Sequence, residues 1–575
     1  MISKPKRFAA ALATLCLLFA AGATFAQDPG DPGPFAVVRA EYDYGDDAFR
    51  FSDQPTELRA VVYHPQDLSG GPFPLVVFLH GYHPTCYLGS AFFLQWPCTP
   101  PREPIPSYIG YEYEQEILAS YGYIVTSISA NGVNARDTLF FDQGMTWRAA
   151  LIQRHLDQWN TFNTEGAEPF GKLFVGKVDL TRVGTMGHSR GGGGVARHYN
   201  YNRELGSPYG IRAVFPLAPV DRLREVLDSV NFAVLLPYCD GDVADLQGVH
   251  YFDDARYVEG DQTNKHYVLV MGGNHSFYNT VWAPGGWPAA TWDDWLQFED
   301  PSGSDPFCGT GGSSHRLTQE QVHGTLRAYL TGFIRIYLGG EAKFLPILKG
   351  DSPPPPSAMT SEIHVSYHPK DAVGSRLTVN SLLAEDRLST NDLGEPVTPS
   401  GLDPYDLCGG EDPQPRHCLE GQPTRRQPHT TPSPLMMKAR GLSQLRFGWD
   451  DATAEWTNQI PDDSTSDVRG YAVVQFRASV NFNDPRNIPD VPQDFSVILT
   501  DRVGNSASAL VSNNSDAPYY PPGQVGAVPK VVLNTIRIPL AQFIGVDLSQ
   551  VRSVRIQFNQ RDTGALLLTD LIFAD

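Results

Sequence analysis

Residues 182–194 read RVGTMGHSRGGGG, an apolar run followed by a glycine-rich turn and then by a stretch of helical character. Its centre, Gly187-His188-Ser189-Arg190-Gly191, matches the pattern GxSxG. Glycine is needed on both sides of the serine in a sharp strand-to-helix turn, because a larger residue would clash with neighbouring backbone. The stretch therefore predicts a strand, a tight turn that exposes the Ser189 oxygen, and a helix. An ordinary glycine-rich turn without a chemical role is the alternative.

Strands and helices alternate on both sides of this turn, over residues 36–346. The apolar strand candidates are 75–79, 123–128, 182–186, 213–217, 232–236 and 267–271. The helical stretches are 112–120, 146–160, 195–204, 223–228, 248–258 and 318–338. Short apolar strands separated by helices are typical of a mainly parallel sheet covered by helices on both faces. Residues 36–43 and 58–63 alternate more strongly, which favours an antiparallel edge.

The composition and the hydrophobic pattern of the chain change after residue 350. Residues 351–356 read DSPPPP, so 351–357 is predicted to be a stiff proline-rich linker. Beyond it, strand candidates are separated by turns with little helix, which favours an all-β sandwich over 358–575. The α/β domain then spans 27–350. Residues 392–434 are predicted to form a long loop.

Composition excludes several classes of protein. The chain has 575 residues, 41% of them hydrophobic, and a formal net charge of −20. That length predicts more than one domain, and the hydrophobic content excludes a mainly disordered chain. A chain this acidic would be repelled by phosphate backbones, so no nucleic-acid partner is expected.

The first 26 residues have the pattern of a secretory signal peptide. Lys4, Lys6 and Arg7 precede an apolar run, and Thr24-Phe25-Ala26 ends it with small residues suited to cleavage. A membrane anchor is the alternative, but the run is too short for a comfortable span. We therefore expect a secreted or periplasmic protein without a stable membrane anchor.

Export places the remaining cysteines in an oxidising compartment, where disulfides are stable. Of the seven cysteines, Cys16 lies in the predicted signal peptide, and the other six allow 15 pairings. Proximity in sequence favours two pairs and leaves a third: Cys86–Cys98, Cys408–Cys418 and Cys239–Cys308. A metal site is the competing interpretation, but no spacing resembles CxxC. No metal and no cofactor is expected.

A nucleophilic serine needs a base, and the base needs an orienting acid. After Ser189, the strand at 232–236 is followed by Asp242, and the strand at 267–271 by His275. Parallel strands bring these loops to one edge of the sheet, so Ser189, Asp242 and His275 are the predicted triad. Asp240 is the rival acid and Asp245 a weaker one. The Asp240-Gly241-Asp242 stretch could also be a plain turn or a weak calcium loop.

Backbone amides are expected to hold the oxyanion. One is the amide of Arg190, just past the nucleophile. The other is the amide of Tyr82, in the loop after the strand at 75–79. His80 and His188 are predicted to be structural neighbours of the site. His266, His315 and His323 are likewise predicted to be structural.

These motifs resemble the α/β-hydrolase superfamily over residues 35–346. The chain looks most similar to cutinase-like polyester hydrolases, platelet-activating-factor acetylhydrolases and chlorophyllases, which share a GHSxGG turn. Some polyester hydrolases carry a Cys three residues before the acid, bonded to a Cys after the base, and Cys239 and Asp242 reproduce that first spacing. The chain departs from that group at 218–220, where those enzymes usually have an aromatic residue.

An insertion separates His275 from Cys308 and contains four tryptophans, at positions 282, 287, 292 and 295. It either lines a substrate pocket or packs as a loop that substrate does not reach. The stretches 494–504, 536–543 and 566–573 resemble galactose-binding-like jelly-roll modules. That resemblance implies a glycan as a further partner, with Trp449, Trp456, Tyr519 and Tyr520 as stacking candidates, although core roles are equally open for the tryptophans.

Together these patterns predict an exported serine hydrolase that cleaves carboxylic esters through an acyl-enzyme, with a lipid or polymer ester as a candidate substrate. A carbohydrate- or surface-binding protein with a degenerate hydrolase scaffold is one alternative. A serine peptidase on the same fold is the other.

Overall fold

A computed structural model of the chain describes residues 28–410, 417–431 and 441–575. The predicted signal peptide, residues 1–26, lies outside the described residues, as do parts of the predicted 392–434 loop. Within the described residues, no helix is long and apolar enough to cross a membrane.

The first domain is built on a nine-stranded sheet. In spatial order its strands run β1-β2-β4-β3-β5-β6-β7-β8-β9. Their bounds are β1 Val37–Asp43, β2 Arg59–Pro65, β3 Phe73–Leu79, β4 Ile124–Ile128, β5 Val178–His188, β6 Ile211–Leu217, β7 Asn231–Pro237, β8 Lys265–Val270 and β9 Ile363–His368. Strands β3 to β8 are parallel, whereas β1, β2 and β9 pair antiparallel at the two edges.

Helices cover both faces of this sheet, as the alternation of apolar strands and helices predicts. They are α1 Glu112–Ser120, α2 Asn131–Asn134, α3 Met145–Thr164, α4 Arg190–Glu204, α5 Val249–Ala255, α6 Gln319–Tyr337 and α7 Leu345–Lys349. Every residue of β3 is buried. Leu75, Val77 and Leu79 belong to the core under α3, α4 and α5, whereas Val76 and Phe78 belong to the core under α1, α6 and α7. The expected helix at 223–228 is absent; turns and irregular chain occupy it.

The second domain consists of two antiparallel sheets, as predicted for a β-sandwich. The first sheet has the order β12-β13-β20-β15-β18, with β10 also paired to β20, and the second has the order β11-β14-β19-β16-β17. Their bounds are β10 Arg376–Asn380, β11 Val397–Ser400, β12 Tyr405–Gly410, β13 Gly441–Trp449, β14 Glu455–Gln459, β15 Val473–Val480, β16 Ser496–Asp501, β17 Ser506–Leu510, β18 Asn534–Pro539, β19 Val551–Gln557 and β20 Gly564–Ala574. Two of them, β11 and β12, lie in the stretch expected to be a loop.

The core between these sheets contains two of the stacking candidates. Trp449 and Trp456 are each only 1% exposed, so neither can stack on a ligand. Their roles are structural. Tyr519 and Tyr520 instead line a cleft of about 720 Å³ beside residues of the first domain.

The predicted boundary between the domains has to be moved. Strand β9 lies beyond the proline-rich segment, yet it pairs along its whole length with β8 of the first sheet. The proline-rich segment is itself packed: Ser357 donates hydrogen bonds from its amide and hydroxyl to the carboxylate of Asp28. Proline content signalled stiffness, but it did not show that the chain returns to complete the first sheet.

A buried ionic cluster joins the two domains. Arg477 of β15 donates to Asp253 of α5 at 2.9 Å, and Arg256 donates to Asp570 of β20 at 2.8 Å. His429 lies 2.7 Å from the other oxygen of Asp253. These side chains are at most 3% exposed. Removing one partner from such a cluster would leave an uncompensated buried charge.

All three expected disulfides are formed: Cys86–Cys98, Cys239–Cys308 and Cys408–Cys418. The second joins the loop after β7 to the end of the tryptophan-rich insertion. It therefore ties together two segments that are 69 residues apart in sequence.

We predict that a fragment of residues 28–350 is far less stable than the chain 28–575. The fragment lacks β9, so the edge of β8 is exposed, and it leaves Asp253 without Arg477. Circular dichroism during heating would show a lower, broader transition. A fragment that unfolds at the temperature of the longer chain would contradict this packing.

Candidate active site

Ser189 occupies the sharp turn between β5 and α4. Its φ of 58° and ψ of −123° are a conformation that residues other than glycine rarely adopt. A Cβ atom at Gly187 would lie 2.1 Å from the carbonyl oxygen of Gly191, so the flanking position admits only glycine. The turn is held to β6 by the Ser189 amide, which donates to the Leu217 carbonyl at 2.9 Å. This is the geometry that the GxSxG pattern predicts.

His275 follows β8 and is buried at the same edge of the sheet. Its Nδ1 lies 2.8 Å from Oδ2 of Asp240. Its Nε2 is buried, and among the described residues it has no hydrogen-bond partner. The ring centroid of His275 lies 4.7 Å from that of His188, the residue that precedes Ser189. The imidazole is thus held from one side, and its other nitrogen is free to exchange a proton.

The acid beside His275 is Asp240 and not Asp242, which corrects the prediction. Asp240 is fully buried, and its Oδ1 accepts hydrogen bonds from the amides of Asp242 and Val243 at 2.9 and 2.6 Å. The Asp242 side chain is 50% exposed and lies 3.8 Å from Nε2 of His275. The chain turns immediately after β7, where the Asp240 amide donates to the Pro237 carbonyl. The buried position therefore comes two residues earlier than expected.

Asp294, in the tryptophan-rich insertion, joins the loops that carry Asp240 and His275. Its Oδ2 accepts from the amides of Gly241 and His275 at 2.8 and 3.0 Å, and its Oδ1 accepts from the Ser276 amide at 2.8 Å. Burial, together with the nearby charge of Asp240, raises the pKa of Asp294 to about 6. Nothing in the sequence pattern marks this residue except that a carboxylate stands among tryptophans.

The expected oxyanion loop lies directly over the nucleophile. A Cβ atom at Gly81 would be 2.5 Å from the Cβ of Ser189. Among the described residues, the amides of Tyr82 and Arg190 donate to no protein group. The two amides expected to bind an oxyanion thus lie at this turn without a hydrogen-bond acceptor among the described residues.

The side chain of Arg190 links the loops that carry these two amides. Its guanidinium carbon lies 4.0 Å from the centroid of the Tyr82 ring, and Nη1 donates to Asp137 at 2.5 Å. Asp137 is buried and also accepts from Arg148 at 3.1 Å. Arg148 donates to Asn134, which in turn donates to the Gly81 carbonyl at 2.8 Å. A network of fixed charges therefore holds the oxyanion loop.

The remaining histidines near the site have other partners. Burial lowers the pKa of His80 to about 3, and its Nε2 accepts from the Ala130 amide. Burial also lowers the pKa of His188 well below its usual range, and its Nδ1 pairs with Tyr111. Both rings are therefore neutral and structural.

His266, His315 and His323 make contacts away from the His275 ring. His266 pairs with the Leu348 carbonyl and His323 with the Phe277 carbonyl, while His315 stacks on Phe307. Each has a structural contact of its own.

Some tryptophans of the insertion pack in the core, and others lie close to the candidate site. Trp295 is fully buried. Trp282 lies 4.9 Å from the His188 ring between centroids, and both Trp282 and Trp292 stack on His83. Beyond them lies a cleft of about 520 Å³, whose walls include Phe92, Pro288, Trp292 and Phe298. An aromatic series thus runs from the nucleophile turn to an apolar cleft.

The electrostatics of the pair favour a charged imidazole. Burial opposes a charge on His275, but the carboxylates of Asp240, Asp242 and Asp294 outweigh it and raise the pKa of His275 to about 9. In the described residues, no group of three or more His, Cys, Asp or Glu side chains is arranged to hold a metal ion.

One comparison with known proteins finds a match. A family model described as PETase, PET hydrolase-like, matches residues 106–291. The matched range holds Ser189, Asp240 and His275 but covers less than half of the chain. It agrees with an α/β-hydrolase fold for the first domain. No curated protein matches the chain.

Asp240→Asn and Asp242→Asn form a matched pair of variants, because each makes the same carboxylate-to-amide change at a residue that faces the His275 ring. We expect Asp240→Asn to lower kcat by about 10⁴-fold, because the amide cannot hold or stabilise a protonated His275. Asp242→Asn should change kcat by no more than about threefold, because its exposed charge is screened. Steady-state kinetics on one ester decides; the reverse order of losses would restore Asp242 as the acid.

Activity should rise with pH on the acid side. His275 acts as a base only when neutral, so kcat/KM should increase through an apparent pKa above the usual 6.5. Asp242→Asn removes a charge that raises the pKa of His275, so its profile should move to lower pH. A wild-type profile that is flat from pH 6 to pH 9 (roughly the range in which histidine titrates) would contradict this.

Proposed function

We propose that this protein is an exported serine hydrolase that cleaves carboxylic esters. The observation that carries the proposal is the buried pair of His275 and Asp240, whose imidazole lies 4.7 Å from the His188 ring, next to Ser189 in its strained strand-to-helix turn. A neutral imidazole with one nitrogen held by a carboxylate and the other free is the arrangement that activates a serine hydroxyl.

The proposed reaction has two halves. His275 Nε2 takes the Ser189 proton as the oxygen attacks the ester carbonyl, and the Tyr82 and Arg190 amides donate to the resulting oxyanion. The imidazolium, stabilised by Asp240, then protonates the departing alcohol and leaves an acyl-Ser189. Water attacks this ester with His275 again as base, releasing the acid and restoring the serine. Each step is balanced without a cofactor.

The surroundings of the site favour an apolar ester, from a lipid or a polymer. The cleft beyond Trp292 is bordered by Phe92 and Phe298, each about half exposed. Exposed aromatic side chains beside a cleft favour contact with apolar material. Similarity to PET hydrolase-like proteins over 106–291 agrees with an ester substrate. Three disulfides fit an oxidising compartment outside the cytosol.

The test is a panel of p-nitrophenyl esters of increasing acyl length. Ser189→Ala should lower kcat by on the order of 10⁶-fold, since the nucleophile is lost while the fold remains. Ser69→Ala, at an exposed serine after β2, is the matched control and should keep wild-type rates. Equal hydrolysis by wild type and Ser189→Ala would overturn the proposal.

The same panel separates an esterase from a peptidase. Each ester is paired with the p-nitroanilide of the same acyl group. An esterase should cleave the esters far faster than the anilides. Comparable rates on both would favour the peptidase alternative, and no turnover of either would favour a binding role for the scaffold.

A further inference from the structure

The segment between β17 and β18 of the β-sandwich leaves its own domain and packs into the first one. We call residues 522–533 of this segment the strap. Val528 and Val532 of the strap are fully buried in the same hydrophobic cluster as Cys239, Cys308 and Trp295. The core under the acid loop is therefore completed by the second domain.

Polar contacts fix the strap to the acid loop and to the disulfide beside it. The Tyr238 hydroxyl donates to the Pro522 carbonyl at 2.9 Å. Oδ2 of Asp305 accepts from the amides of Gln524 and Val525 at 2.7 and 2.9 Å. Oδ1 of Asp305 accepts from the Cys308 amide at 2.7 Å. The strap is thus anchored on both sides of the Cys239–Cys308 bridge.

Lys530 is the charged residue that the strap inserts. It is fully buried, and its Nζ donates to the carbonyl of Tyr238, two residues before Asp240, at 2.7 Å. Its amide donates to the Tyr238 hydroxyl at 2.9 Å. The Nζ atom lies 6.0 Å from the centroid of the Trp295 ring, next to Asp294. Within the part of the chain that the structure describes, the acceptor of Lys530 Nζ is thus the Tyr238 carbonyl, in the loop that carries Asp240.

The carboxylates that act most strongly on Lys530 come from the first domain. Burial lowers the pKa of Lys530 to about 8, and four carboxylates oppose that shift: Asp240, Glu299, Asp245 and Asp294. Asp240 and Asp294 are themselves fully buried beside His275. Two buried carboxylates with one imidazole carry excess negative charge, which a buried cation can offset.

We propose that Lys530 is a positioning residue of the active site, through which the β-sandwich holds the turn of Asp240 and balances the charge of Asp240 and Asp294. The second domain is then a part of the catalytic unit rather than a separate module. The kinetic part of this inference rests on the proposed ester hydrolysis; its structural part does not.

Removal of the Lys530 charge should shift the pKa values of His275 and Asp294 in a defined direction. Asp240 and Asp294 raise the pKa of His275 and also act on Lys530, so loss of the lysine charge leaves their negative charge less compensated and should raise the pKa of His275. It also raises the pKa of Asp294, whose carboxylate clamps both loops. Both effects move the loss of activity on the acid side to higher pH.

The kinetic test compares Lys530→Met, Lys530→Arg and Lys349→Met in the full chain. Methionine keeps the length and loses the charge and the donor. Lys349→Met is the matched control: Lys349 also bridges the domains, 3.0 Å from Asp575, but it follows Leu348, whose carbonyl meets His266 at the opposite end of β8. We expect Lys530→Met to move the acid limb of kcat/KM up by about half a pH unit, with Lys530→Arg closer to wild type. An unchanged profile in Lys530→Met would overturn the proposal.

A second readout needs no substrate. The amides of Asp242 and Val243 donate to Asp240, so a loosened acid turn should exchange hydrogen faster. Mass spectrometry should show faster exchange in peptides covering 238–245 for Lys530→Met, and not for Lys349→Met. Wild-type exchange there in a folded Lys530→Met would overturn the positioning role. A wild type that cleaves no ester would instead overturn the proposed function, while the exchange measurement would still decide the role of Lys530.

Discussion

The hydrogen bond between Nδ1 of His275 and Asp240 is the constraint on which the rest of the site depends. It is buried, so both partners lose the hydration that would otherwise stabilise their charges, and the surrounding structure must replace it. Two backbone amides donate hydrogen bonds to Asp240, and the Asp294 carboxylate accepts one from the amide of His275. The Cys239–Cys308 disulfide then secures the loop of the acid against the insertion that supplies Asp294.

The sequence predicted what depends on local pattern. Apolar runs gave the parallel strands, and the glycine pattern around Ser189 required its turn, because backbone contacts there exclude other residues. The choice between Asp240 and Asp242 was not predictable in this way. Two aspartates separated by one glycine have the same chemistry, and only the tightness of the turn after Pro237 determines which is buried. Asp294 was not predicted, because it accepts hydrogen bonds from backbone amides. Every residue except proline has such an amide, so these partners leave no pattern in the sequence.

The predicted position of the domain boundary was wrong for a related reason. A proline-rich segment is a local signal, whereas the pairing of β9 with β8 depends on where the chain returns in space. The buried cluster of Asp253, Arg477 and Asp570 has the same character, since Arg477 lies 224 residues from Asp253 and 93 residues from Asp570 in sequence. Charged residues are normally expected at the protein surface. Nothing in the sequence around these three charged residues indicates that they are buried. Long-range contacts thus made the two domains one folded unit.

The late position of β9 and the strap has a consequence for the order of synthesis. The chain leaves the ribosome amino end first, so Ser189, Asp240 and His275 are available long before residues 363–368 and 528–532. Until those arrive, one sheet edge and part of the core under the acid loop have no partner. The first domain therefore completes its folding only when nearly the whole polypeptide has been made. A chain interrupted before Lys530 would leave an apolar surface open to proteases and to aggregation, even though Ser189, Asp240 and His275, the proposed triad, were all present.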